Sequence, residues 1–224
     1  MRRGEVMKTR KFWVVITLVV SFMFIGGGFS FAENSKDTVN FKWAFIYKKP
    51  GEPYGRILDF KGKPTVNSGD KLQVMLTPIT ESYMYLFLLS SNNELDIIFP
   101  NDLSFYDTNK LGEESYLPGK DKWYSIDQAK GTERFYLLAS STRLTGIEKA
   151  TEAYLASGKN NDKKAALLDA MKTLRRSNSK LASIAEKGVP IAGTFRTRGH
   201  GDVSVVLGDA IEVKADKFYS KTIR

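Results

Sequence analysis

The chain has no cysteine and only one histidine, His200. The first absence excludes disulfides, thiolate metal sites and thiol catalysis. The second leaves a single imidazole for any acid–base chemistry. There is no Gly-x-Ser-x-Gly elbow and no phosphate-binding glycine loop, because Gly158-Lys159 lacks the preceding spacing. No internal repeat, low-complexity tract or linker is visible. A chain without cross-links must be held together by its apolar core. The bulk of its three tryptophans, ten tyrosines and fourteen phenylalanines is therefore expected to be structural.

The N-terminus carries Arg2, Arg3, Lys8, Arg10 and Lys11, then an uncharged run from Phe12 to Ile25. Ser30-Phe31-Ala32 puts small residues at the two positions a signal peptidase inspects. Residues 1–32 thus read as an export signal, with cleavage before Glu33 and a periplasmic or secreted product. The alternative is a retained N-terminal membrane anchor. The apolar run alone covers about 21 Å, short of the roughly 30 Å hydrocarbon core, and Gly26 to Gly28 break its continuity. Residues 33–224 suffice for a single domain. The leader takes +4 of the chain's +9 net charge with it, leaving +5. That balance is mild and does not call for a nucleic-acid partner.

Val39, Phe41, Trp43, Phe45 and Tyr47 alternate with Asn40, Lys42, Ala44, Ile46 and Lys48, the pattern of a strand with one buried face. Short strands are expected at Gly55 to Phe60 and around Leu72, Val74 and Leu76. Tyr83 to Leu89 is continuously apolar, as a central strand covered on both faces would be. Ser90 to Glu94 reads as a hairpin turn, and Leu95 to Phe99 as the returning strand. Residues 103–113 read as a polar loop. Strands follow at Tyr116-Leu117, Trp123 to Ile126 and Arg134 to Ala139.

At Leu144 the period changes. Ile147, Ala150, Tyr154 and Leu155 recur at helical spacing, closed by Ser157-Gly158. Asn161 or Asp162 can cap a second helix, with Leu167, Leu168, Met171 and Leu174 on one face. Leu181, Ile184 and Ala185 continue that face until Gly188 and Pro190 stop it. Ser177 to Ser179 is a candidate interruption. The tail returns to strand character at Ile191 to Thr197, Val203 to Leu207, Ala210 to Lys214 and Phe218 to Ile223. The expected fold is mainly β, an antiparallel β-sandwich-like domain with an inserted α-helical hairpin at about 144–187.

The strand Tyr83 to Leu89, the turn Asn92-Asn93-Glu94, the segment Leu95 to Asn101, Tyr116-Leu117-Pro118 and the run Gly131 to Ser141 together resemble the bacterial domain-of-unknown-function family 4384. Ser68-Gly69-Asp70-Lys71-Leu72 looks like the start of that family's first core strand. The resemblance spans roughly residues 39–144. The family often has Asp and Gly in the turn where this chain has Asn92-Asn93, and Asn tolerates the left-handed geometry a tight turn needs. The resemblance implies a β-rich module of the bacterial envelope, and a sensing or docking accessory rather than an enzyme.

Several residues bear on function. His200 and Asp202 raise the idea of a hydrolase with a serine elsewhere, against the simpler reading of a turn histidine between two glycines. Arg196, Arg198 and His200 share a face in a strand, either to hold a carboxylate or phosphate or to blunt an edge. Asp96, Asn101, Asp102 and Asp107 offer hard oxygen ligands for Ca²⁺, but in no EF-hand spacing, and are also ordinary turn residues. Trp43, Trp123, Tyr83 and Tyr85 suggest a sugar platform, with Trp43 expected in the core and Trp123 the more exposed. Leu167, Met171 and Leu174 read as core, while Lys163, Lys164, Lys172, Arg175 and Arg176 make the other helix side basic.

The expected function is non-catalytic: an exported envelope protein that docks another envelope protein through edge-strand pairing or the helical insert, with a weak tendency to self-associate. No cofactor or metal is expected. The alternative is a module that binds a glycan or anionic polymer of the envelope; the hydrolase is the third reading.

Overall fold

The aromatic stripe of the first strand meets its partners across two stacked sheets. A computed structural model describes residues 38–60, 62, 64–108, 111–128, 130–178, 183–191, 193–196, 203–206 and 208–224, with backbone only for 193–196 and 203–206. The strands are β1 (Thr38–Lys48), β2 (Arg56–Ile57), β3 (Lys71–Pro78), β4 (Tyr83–Leu89), β5 (Leu95–Phe99), β6 (Ser115–Leu117), β7 (Tyr124–Ser125) and β8 (Arg134–Ser140). The helices α1 (Thr145–Ala156) and α2 (Asn161–Asn178) follow. Then come β9 (Ile184–Pro190), β10 (Gly193–Arg196), β11 (Val203–Val206), β12 (Asp209–Asp216) and β13 (Phe218–Ile223).

One sheet runs β6-β3-β1-β12-β9, with β2 on β1 and β7 on β3; the second runs β13-β8-β4-β5. Every pairing is antiparallel. Between the sheets, Phe45 packs edge-on against Phe135 of β8 with ring centroids 4.7 Å apart, and Phe41 against Tyr219 of β13 at 5.3 Å. Trp43 lies between them in the chain and is 1% exposed. This is the antiparallel sandwich the alternation implies.

The outer face of the second sheet is covered by the helical hairpin. Tyr85 and Phe87 of β4 are fully buried although strand alternation turns them away from the first sheet. Ile147 and Tyr154 of α1 and Leu167 and Met171 of α2 bury against that side, and the Tyr154 hydroxyl donates to the Leu95 carbonyl at 2.9 Å. Lys164 of α2 donates from Nζ to the Asn93 carbonyl at 2.7 Å, tying the hairpin to the β4–β5 turn. In that turn Asn93 has φ +63°. A strand covered on both faces has no room for polar alternation, which explains the unbroken run from Tyr83 to Leu89.

The structure corrects the local reading in five places. The second helix ends at Asn178, and Ile184 to Pro190 is a strand. Ala, Glu and Lys favour helix, but pairing with β12 along seven residues overrides that weak preference. Proline is tolerated there because β9 is an edge. The α2 cap is Asn160, whose Oδ1 accepts from the Asp162 amide at 2.7 Å, in place of Asn161 or Asp162. The loop after β5 holds a 3₁₀ turn, Leu103–Thr108, which buries Tyr106. β1 has two buried faces rather than one, because Ala44 and Ile46 pack with Met75 and Ala210 under Ile57 and Trp123. The strand expected at Trp123 to Ile126 is only Tyr124–Ser125.

Candidate functional site

Two clusters of ionisable groups join elements of the fold. Glu148 lies in the first turn of α1 and is 6% exposed. Arg143, in the short link from β8, donates from Nε to both Glu148 oxygens at 2.9 and 2.7 Å. Its terminal nitrogens reach the Asp107 carboxylate and the Leu103 carbonyl. The Tyr85 hydroxyl donates to Glu148 Oε1 at 2.7 Å and accepts from the Leu144 amide at 3.2 Å. One carboxylate thereby links α1, β4 and the 3₁₀ turn, at a helix end where the dipole favours negative charge. Burial, then the bond to Glu148, pushes the Tyr85 phenol well above its ordinary range. Asp107 and Glu148 raise Arg143 further.

The second cluster braces the edge strand β9. Glu186 Oε1 accepts from the Tyr219 hydroxyl of β13 at 2.9 Å. The Lys221 ammonium sits on the other Glu186 oxygen and 5.4 Å from the centroid of the Trp43 ring. Burial, and the Glu186 charge after it, raise the Tyr219 phenol. Tyr106 is raised mainly by burial.

Two of the residues singled out in the sequence, Asp107 and Tyr85, meet through Arg143 and Glu148. His200, Asp202 and Arg198 lie outside the described residues, as do the leader, Leu181 and the side chain of Arg196. Asp96 pairs with Lys159 at 2.6 Å and Asp107 with Arg143. Asp102 accepts from the Ser104 amide at 2.9 Å, which lowers its carboxyl. Asn101 is exposed. Among the described residues no group of three acidic or histidine side chains is placed to hold a metal ion. Trp43 is core, Tyr85 is bonded to Glu148, and Tyr83 packs edge-on against Tyr106 with ring centroids 5.1 Å apart. Trp123 is half-buried over Ile46 and Met75. On α2, Lys163, Lys172, Arg175 and Arg176 are exposed, while Lys164 is buried against the β4–β5 turn.

Sequence reasoning missed a long β-ribbon. β9 pairs with β12 from Ile184 opposite Ala215 to Pro190 opposite Asp209. The Ile191 amide then donates to the Gly208 carbonyl at 3.0 Å. β10 pairs with β11 from Gly193 opposite Val206 to Arg196 opposite Val203. Every described pair keeps one register, so β10–β11 continues the line of β9–β12. The ribbon's inner half is the edge of the first sheet, and all of β9 except Val189 is exposed. Its outer half pairs with no other strand among the described residues. The mirror spacing of Gly188, Val189 and Ile191 against Gly208, Ala210 and Ile211 about residue 199 was the available signal.

Residues 65–143 match the family model described as Domain of unknown function (DUF4384). The match begins just ahead of β3 and ends before α1, so it includes β3 to β8 and leaves β1 and β2 outside. No curated protein and no solved structure matches the chain. Among the described residues no helix is long and apolar enough to cross a membrane.

Two outcomes follow from the clusters. Arg143→Met leaves the Glu148 carboxylate buried without its cation; urea unfolding should show a loss of about 3 kcal/mol, largely recovered in the Arg143→Met/Glu148→Gln pair. Wild-type stability in the single variant would show the link is idle. The phenols of Tyr85, Tyr106 and Tyr219 are raised in the folded state, so their contribution is complete below pH ~10 and is lost as pH rises above it, where only the unfolded chain ionises. An absorbance titration at about 295 nm should show these three ionising in one step with loss of near-ultraviolet dichroism. Gradual ionisation near pH ~10 with the fold intact would contradict it.

Proposed function

We propose that residues 33–224 act as an exported, non-catalytic protein-interaction module of the bacterial envelope, freed of the 1–32 leader and docking another envelope protein through the ribbon. The observation that carries this reading is the outer half of the hairpin, paired two strands deep and no further among the described residues. A two-stranded ribbon is marginally stable in water by itself. A third strand supplied by a partner would complete its hydrogen bonding, the mode known as β-augmentation. The inner half gives the ribbon a fixed root through β12 and the Glu186–Tyr219–Lys221 brace. On β9 itself Lys187, Gly188 and Pro190 discourage pairing between copies, which favours a different protein as partner.

The glycan or polyanion reading finds some support in the exposed Lys163, Lys172, Arg175 and Arg176, but Asp162 and Asp169 on the same helix dilute that charge. The hydrolase reading turns on His200 and Asp202, which lie outside the described residues.

The test replaces residues 192–207 by Asn-Gly, which closes β9 onto β12 with a two-residue turn. The variant should keep its dichroism and stay within about 3 °C of the parent melting temperature, a change of about 1 kcal/mol. Cross-linking in the envelope should then lose the neighbours captured by the intact protein. An unchanged set of cross-linked neighbours would contradict the ribbon as the contact.

A further inference from the structure

A second feature lies at the end of the first sheet, where β1 hands over to β2. The chain leaves β1 at Lys48, turns with the Glu52 amide donating to the Lys49 carbonyl at 3.1 Å, and returns as β2. In the return, Ile57 stands opposite Ile46 and Arg56 opposite Tyr47. Gly51 in the turn has φ +78°, open to glycine and strained for other residues. The return is pinned from below. A Cβ on Gly55 would lie 2.7 Å from Ile46 Cγ2 and 3.2 Å from Trp123 Cη2, and the Leu58 amide donates to the Phe45 carbonyl at 2.8 Å. Trp123, read in the sequence as a sugar-stacking candidate, packs beneath Gly55.

Between turn and return lies a cleft of about 500 Å³, lined by Tyr47, Glu52, Pro53, Tyr54, Arg56 and Ile57. That volume falls in the range of small-ligand sites. Tyr54 is 49% exposed beside it. Arg56 donates to Glu52 Oε1 at 3.3 Å, while Glu52 Oε2 is covered and has no donor. The cleft thus sets aromatic and apolar surface beside one donor group and one acceptor group whose charges cancel.

Three ligand classes are separated by that chemistry. A charged ligand gains little net attraction from an internally neutral pair. A purely apolar ligand would strip water from Arg56 and Glu52 and return nothing. A proline-rich peptide would pack on the tyrosines, but proline has no N–H to offer Glu52 Oε2. A pyranose ring has apolar C–H faces for an aromatic ring and a rim of hydroxyls that both donate and accept. We propose that this cleft binds a neutral oligosaccharide, with a sugar ring on Tyr54, hydroxyls donating to Glu52 and a ring or hydroxyl oxygen accepting from Arg56. The Glu52 side chain keeps 29% of its surface exposed, which leaves it reachable by a ligand in the cleft. This site is independent of the ribbon: it takes a carbohydrate where the ribbon takes a strand.

The experiment titrates the full chain with chitotetraose and with cellotetraose, following amide signals of residues 47–57 and tyrosine ring signals by NMR. At least one sugar should bind saturably, with shifts confined to this segment and an affinity flat between about 50 and 500 mM salt. Tyr54→Ala should weaken it about tenfold or more, while Ile79→Ala, which trims an exposed apolar residue in the turn after β3, should bind as the parent does. Three results would each overturn the proposal: no saturable shift up to about 10 mM of either sugar, parent-like affinity in Tyr54→Ala, or shifts at these residues from a polyproline peptide and not from the sugars.

Discussion

Without a covalent cross-link, the two sheets are held face to face by apolar packing, and the contacts at its centre come from one strand. β1 sends Phe41 and Phe45 across to Tyr219 and Phe135, residues from the far end of the chain and from β8. Trp43 between them carries the Lys221 ammonium near its ring and so joins the core to the brace on β9. The segment matching DUF4384 supplies strands to both sheets but lacks β1, β12 and β13. In this chain the first sheet is continuous only because β1 pairs with β3 on one side and β12 on the other. The flanks are thus part of the same core as the matched segment.

Placing the helical hairpin on the second sheet has an electrostatic consequence. The hairpin must dock over Tyr85, whose hydroxyl would otherwise be buried without a partner. Glu148 accepts that hydroxyl, and Arg143 and Asp107 in turn balance Glu148. One buried polar group thereby determines a chain of three charged ones. These side chains are chemically capable, but their neighbours already fix them in place.

The extent to which this was legible follows from how local each feature is. The doubly covered strand Tyr83 to Leu89 was readable because its surroundings impose an unbroken apolar run. The helices were readable where an apolar face repeats at helical spacing, as at Leu167 and Met171. Ile184 to Pro190 was misread because Ala-Glu-Lys has helical preference and the pairing that decides the matter comes from residues 209–215. The Arg143–Glu148 link was invisible because its members, at 85, 107, 143 and 148, meet only after the sheet and the hairpin form. The cleft escaped notice for another reason: Tyr54 and Arg56 sit among prolines and glycines that read as turn chemistry, and nothing in their spacing reports that Gly55 is wedged against Ile46.

What remains on the outside is a ribbon whose inner half is paired into the first sheet and whose outer half, among the described residues, pairs only with itself. The account depends on that outer half being short of a neighbour. Amide hydrogen exchange on the isolated protein tests this directly. Residues 193–196 and 203–206 should exchange orders of magnitude faster than β12, which lies between two strands in the sheet. Protection in the outer ribbon equal to that of β12 would mean that its edges are already satisfied and that no place is left for a partner strand.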